Sequence, residues 1–391
     1  MQSLRFTLEL TTPAFLGGAG NTASASDGLR PPSLKGLLRF WWRSMRARET
    51  TVQGLFGAET KRFGGISGGG DGEETAMQGA IIAPDSPHHA NCVERMSFQG
   101  VQQYLAYGPV TFKEPNQAVI KPGSRFSFRI LHRDAAALAE IADALWLLGA
   151  FGGCGARSRK GWGGLNLIEF EGIDKPWFKN LPSGATSVED FLQRLGQAQK
   201  ILGDVPASAE YTAWTNRSRV LVWNKSFPTW NKALDAVGNE LWAYRKRMGK
   251  DVQLERQPGY QPGPDYKLMT AFLKSGALNR APARASFGLP HNYFFRSSKT
   301  NVEVKPAGLE RRASPVFLRI SRFGENEYIP VVTFLPSRHL PEGVRLQVTN
   351  RTNRKSVPVS ADPDFTGVKQ WIDQISGANG PAKKVELWAN R

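Results

Sequence analysis

The residues best placed for chemistry lie in Gly152 to Gly164, GGCGARSRKGWGG, where six glycines, Arg157, Arg159 and Lys160 fall within thirteen positions. Glycine permits positive φ and close backbone approach, so such a loop can aim exposed N–H groups and cations at one polyanion. Phosphate is the guest that suits this chemistry, with Gly153, Gly155, Arg157, Ser158, Arg159, Lys160 and Trp162 as candidate contacts. The bland alternative is a solvated surface loop. The loop follows a helical pattern: Asp134 can cap a helix in which Leu138, Ile141, Ala142, Leu145 and Leu148 recur, and Gly149 suits its end. A helix C-terminus carries the negative end of the dipole, and the glycines match neither G-x4-G-K-[ST] nor G-x-G-x-x-G. That argues against a mononucleotide and for an extended RNA backbone.

A second cationic group sits in SLKGLLRFWWRSMRARE, which Ser33 can cap after Pro31 and Pro32. Leu34, Leu37, Leu38, Trp41 and Met45 share one helical face, while Lys35, Arg39, Arg43 and Arg46 form another. Trp42 falls between the stripes, where an indole can flank a phosphate path or stack on a base. Arg30 to Arg48 holds six basic residues and no acid, which favours binding over a merely solvated face.

Catalytic groups are hard to find. None of His88, His89, His132, His291 and His339 lies in either basic motif. His88, His89 and Cys92 lack a fourth ligand for a metal, and no Asp/Glu cluster suggests a two-metal nuclease. His291, in GLPHNYFF, is the histidine to test for acid–base chemistry, although a structural role suits it better. The expectation is a protein without catalytic residues, metal or cofactor.

Composition points the same way. The chain has 391 residues, 40% of them hydrophobic, which suits two domains with a core in each. Fifty-one basic residues against 34 acidic give a net charge of +17, so nucleic acid leads as partner and anionic membrane comes second. No apolar run reaches ~18 residues, and MQSLRFTLEL alternates like a strand instead of a leader's apolar core. A cytoplasmic protein with two reduced thiols, Cys92 and Cys154, is expected.

The elements that must position these groups read as an α+β fold of tandem ferredoxin-like (RRM-like, βαββαβ) domains with helical insertions. Residues 1–171 form the first, with strands at 3–10, 78–83, 124–132 and 165–170 and helices from Ser33 and Ala135. Its central strand lacks the aromatic placement of an RNA-reading sheet. FGGISGGGDGEET reads as a mobile loop. Residues 172–216 connect, with a helix at 188–201. Residues 217–391 hold the second domain, with strands at 220–223, 316–320, 328–334, 344–348 and 384–388. Its helices are expected at 230–248, 266–278 and about 365–376.

Three motifs resemble the RAMP superfamily of CRISPR RNA-binding proteins, and within it the first subunit of the type III-B Cmr effector complex. They are TPAFLGGA at Thr12 to Ala19, LRPPSLKGLLRFWWRS at Leu29 to Ser44, and GGCGARSRKGWGG; the weaker RRASP at Arg311 to Pro315 has a counterpart too. The resemblance implies a non-catalytic subunit near the head of an RNA-guided complex, contacting the guide (crRNA) 3′ region and target single-stranded RNA through phosphates, with other Cmr subunits as partners. It makes Lys35, Arg39, Arg43, Arg157, Arg159 and Lys160 RNA contacts, joined by Arg30, Trp42, Arg46, Arg311 and Arg312. The rival readings are a transcript-processing endoribonuclease and a structural adaptor for acidic partner subunits.

Overall fold

The computed structural model describes residues 1–17, 28–49, 51–67, 75–77, 79–85, 92–110, 116–249, 261–296 and 298–388. His88 and His89 lie outside them, as does the middle of the FGGISGGGDGEET stretch. The ends of that stretch do not form the expected loop: Gly65–Ser67 and Thr75–Met77 pair as an antiparallel hairpin.

The first half contains β1 (Gln2–Leu10), α1 (Pro31–Ser44), β2 (Ile81–Pro84), β3 (Arg125–His132), α2 (Ala135–Phe151) and β4 (Leu165–Glu171). Strict alternation in β3 buries Phe126, Phe128 and Ile130, which register against Leu8, Phe6 and Leu4 of β1. The sheet order β2-β3-β1-β4, antiparallel throughout, is that of the split βαβ arrangement. Asp134 caps α2, its Oδ1 accepting from the N–H groups of Ala136 at 2.8 Å and Ala137 at 3.3 Å. The helix runs past Gly149, because that glycine lies against β4; a Cβ there would stand 2.7 Å from the Leu167 Cβ. Helix α1 starts at Pro31, not after Ser33, since proline lacks an N–H that the first turn would leave unpaired. An unforeseen helix, Val52–Phe63, follows it.

The second half repeats the pattern with β5 (Arg219–Trp223), α3 (Trp230–Met248), β6 (Val316–Phe323), β7 (Glu327–Phe334), α4 (Thr366–Ser376) and β8 (Ala382–Lys384), in sheet order β6-β7-β5-β8. The last strand precedes the one expected at 384–388. The strand expected at 344–348 belongs elsewhere. As Leu346–Asn350 it joins His291–Phe295, Thr300–Pro306 and Ser356–Val359 in a separate antiparallel sheet, so the insertion is not purely helical. Helix Pro264–Ser275 covers one face of that sheet. In the connecting segment the expected single helix breaks at Gln197 into Val188–Gly196 and Ala198–Leu202.

The two halves do not keep separate cores. One apolar cluster runs through both sheets, and a smaller one lies under the inserted sheet. Arg319 of β6 bolts the halves together: only 3% exposed, its guanidinium donates to the Leu148 and Gly152 carbonyls, the Asn166 side chain and the Ser321 hydroxyl at 2.7–3.2 Å. Burial pushes its pKa down to about 9. Carbonyl dipoles, with no carboxylate among its bonded partners, hold this charge. Buried Glu9 adds a second tie, bridging Arg125 of β3 at 3.0 Å and Arg322 of β6 at 2.7 Å. No described helix is long and apolar enough to cross a membrane.

Candidate nucleic-acid interface

The glycine-rich loop threads between segment 11–16 and β6. Ala156 N–H donates to the Phe15 carbonyl at 3.0 Å, Gly163 N–H to Pro13 at 2.9 Å, and Leu318 N–H to Arg159 at 3.1 Å. Gly163 has φ +62° and a Cβ there would lie 2.0 Å from the Cys154 carbonyl oxygen; at Gly155, φ +77°, it would lie 2.6 Å from that of Phe15. These glycines serve close approach of the chain's own backbone. The amides of Cys154, Ala156, Lys160, Gly163 and Gly164 all donate within the chain, so these five are not part of an amide cradle for phosphate. Trp162 is also corrected as an RNA contact: it is fully buried, its ring centroid 4.7 Å from that of Phe98 and 5.1 Å from that of Phe15. Burial pushes the neighbouring Cys154 thiol up to about 12.

What the loop offers outward is charge. Arg157 to Lys160 line one side of a cleft of about 1010 Å³. Arg311 to Ser314, the RRASP motif, line another, with His291 and Asn292 beside them. Helix α3 adds Trp242 and Arg245, and the helix Gly100–Leu105 with its exit adds Tyr104 and Tyr107. Six cations therefore meet in one cleft: Arg157, Arg159, Lys160, Arg245, Arg311 and Arg312. Among the described residues, no Asp or Glu lines it and none of the six has an ion-pair partner.

The six are not equivalent. Arg312 spends its three guanidinium nitrogens at 2.8 Å on the His339 and Ala313 carbonyls and the Ser337 hydroxyl. It braces the wall, which corrects its assignment as a phosphate contact. Arg159 is half anchored, lying 4.3 Å over the Phe317 ring and bonding the Ser314 carbonyl; burial, then Arg312, lowers its pKa to about 10. Arg157 and Arg311 are exposed. Lys160 is forced down to about 7 by burial and by Arg245, Arg157 and Arg159. Such crowding of like charge is what an anion would relieve.

His291 sits in the same wall. Arg245 can only donate, so the 3.3 Å contact makes His291 Nδ1 the acceptor and leaves the proton on Nε2. Burial, with Arg245, Arg284 and Lys160, holds the ring neutral, its pKa far below the usual range. Nε2, also buried, has no hydrogen-bond partner among the described residues.

The stripe on α1 has a different fate. Arg43 and Arg39 pair with Glu59 at 2.7 and 3.3 Å, Arg39 also donates to the Gly64 carbonyl at 2.6 Å, and Lys35 reaches that of Ala80 at 3.2 Å. Arg46 pairs with Glu140, which also takes two bonds from Arg62 at 2.8 and 2.9 Å and the Trp42 indole N–H at 2.9 Å. Burial alone would raise the Glu140 carboxyl, but these donors together hold it at about 2. Trp42 is 0% exposed, so it cannot stack on a base. These α1 residues hold α1, α2 and helix Val52–Phe63 together, a structural duty that corrects their reading as a free cationic face. Arg30 is exposed at the start of α1 and apart from the cleft's lining. Sequence reasoning missed Arg245, Trp242, Tyr104 and Tyr107; the signal for the first two was their i, i+3 cation–aromatic spacing on α3.

Residues 7–166 match the model of the RAMP superfamily. No curated protein matches the chain. Among solved structures, Cmr1 from Pyrococcus furiosus in its apo form is 18% identical with a TM-score of 0.53, the match covering 98% of this chain and 99% of that one. A chain of type III-B Cmr-beta bound to cognate target RNA and AMPPnP, in the presence of ssDNA, is 11% identical with a TM-score of 0.50, covering 95% and 99%. These likenesses show a shared fold. The family match thus covers residues 7–166, and the shared fold runs along nearly the whole length of the chain.

Proposed function

We propose that the chain is a non-catalytic RNA-binding subunit of a type III-B RNA-guided interference complex, seating guide or target single-stranded RNA by its phosphates in the cleft between its two halves. One observation carries the reading: six cations converge on a cleft where, among the described residues, no carboxylate lines the wall and no ion pair neutralises any of the six. Sites of that kind draw a polyanion through counterion release. Arg157, Lys160, Arg245 and Arg311 are the phosphate ligands in this account. A His291 ring with Nδ1 occupied and Nε2 protonated has no lone pair for a 2′-hydroxyl proton, which argues against the endoribonuclease. The test is a gel shift on end-labelled single-stranded RNA across a salt series without added metal. Intact RNA, shifted less as salt rises, is expected; shortened RNA, or a shift indifferent to salt, overturns the reading.

A further inference from the structure

The inserted sheet has one uncovered face. Its inner side packs Tyr293, Phe295, Val302 and Val348 on Met269 and Phe272 of helix Pro264–Ser275. Strand alternation sends Asn292, Phe294, Asn301, Glu303, Lys305, Gln347 and Thr349 to the other side. Phe294 there is 65% exposed. Its companions are amides, a hydroxyl, a cation and one carboxylate, Glu303, which Arg351 pairs with; that is a poor setting for an apolar protein contact and a good one for a nucleobase: an aromatic face to stack on, amides for base edges, cations for phosphates. Asn301, directly across from Phe294 in register, has a buried side-chain carbonyl with no donor among the described residues.

Charge and continuity identify the occupant. The two hairpins, residues 291–306 and 346–359, carry Arg296, Lys299, Lys305, Arg351, Arg354 and Lys355 against a single acid, Glu303, which Arg351 neutralises. The edge strand starts in the cleft wall, since His291 and Asn292 line the cleft and Phe294 comes two residues later on the same strand face as Asn292.

We propose that the outer face of the inserted sheet binds the bases of single-stranded RNA where the strand leaves the cleft. Phe294 stacks on one base, the exposed Asn292 amide two residues before it meets a base edge, and Lys305 steadies the adjoining phosphate. The direction of approach rests on the cleft reading; the stacking site does not.

Fluorescence anisotropy with two labelled strands of equal length, a 12-nucleotide RNA and an abasic ribose-phosphate strand, tests it on the full chain. Phe294→Ala should lose roughly tenfold in affinity for RNA and nothing for the abasic strand, while Phe294→Tyr keeps both. Because Phe294 is exposed, an unchanged melting temperature will show that the variant folds. Arg157→Ala/Arg245→Ala should weaken both strands. If that double variant binds normally while Phe294→Ala is weak, the sheet site stands and the cleft reading falls. If Phe294→Ala binds RNA like the parent, the proposal is overturned; loss of a co-purifying protein subunit by that variant would assign the face to a protein.

Discussion

Lys160 sits among Arg157, Arg159 and Arg245 with its ammonium pKa at about 7, so phosphate binding there must draw in a proton. Affinity for RNA should fall as pH rises from 6 to 8.5, and Lys160→Arg, charged throughout, should flatten that slope; titrations at fixed ionic strength check both. Folding has the opposite sign. Between about 7 and the ordinary lysine value the unfolded chain binds more protons, so free-protein stability should rise with pH across that window. His291 stays neutral in the folded chain over the range and adds nothing to the binding slope, while protonation of its unfolded imidazole near the ordinary histidine value adds to the rise of stability with pH there. At this scale the residue types were legible and their partners were not. Arg39 and Arg157 look alike in a sequence; Glu59 neutralises the first, whereas Arg157 has no ion-pair partner among the described residues and shares its cleft with other cations.

At the scale of elements, Glu140 is the node that fastens α1 and helix Val52–Phe63 to α2. Glu140→Gln should cost about 2 kcal/mol by urea unfolding at pH 7. Its carboxyl is depressed in the folded state, so this stabilisation is full above the ordinary carboxylate pKa and lost as pH falls toward 2, a loss that the variant should not show. Gly163→Ala should destabilise or block folding, since its Cβ would collide with the Cys154 carbonyl; a melting curve decides. Most elements were readable because alternation in β3 and the 3.6-residue period of α2 and α3 report burial directly. The inserted sheet was not. His291–Phe295 and Ser356–Val359 are short edge strands, and the pairing that joins their two hairpins, Thr300–Pro306 with Leu346–Asn350, reaches across the intervening β6 and β7. The glycine-rich loop was seen but misassigned, because glycines for backbone approach and glycines for phosphate have the same spelling.

The whole molecule is two split βαβ units sharing one core, and the cleft exists only because the loop of the first unit meets β6 and the RRASP motif of the second. Arg319 is central to that junction. Arg319→Leu strands the Leu148 and Gly152 carbonyls and the Asn166 side chain, and should cost about 3 kcal/mol or more. The net charge of +17 announced a polyanionic partner, but only the fold shows which cations remain unpaired. Salt-dependent RNA affinity, compared between Arg157→Ala/Arg245→Ala and Arg39→Ala/Arg43→Ala with folding checked by circular dichroism, tests this most directly. The cleft pair should lose roughly tenfold or more and flatten the log–log salt slope by about 1.4, the share of two phosphate contacts on a single strand, while the α1 pair stays within about twofold. Loss confined to the α1 pair, with the cleft pair binding normally, would contradict the account.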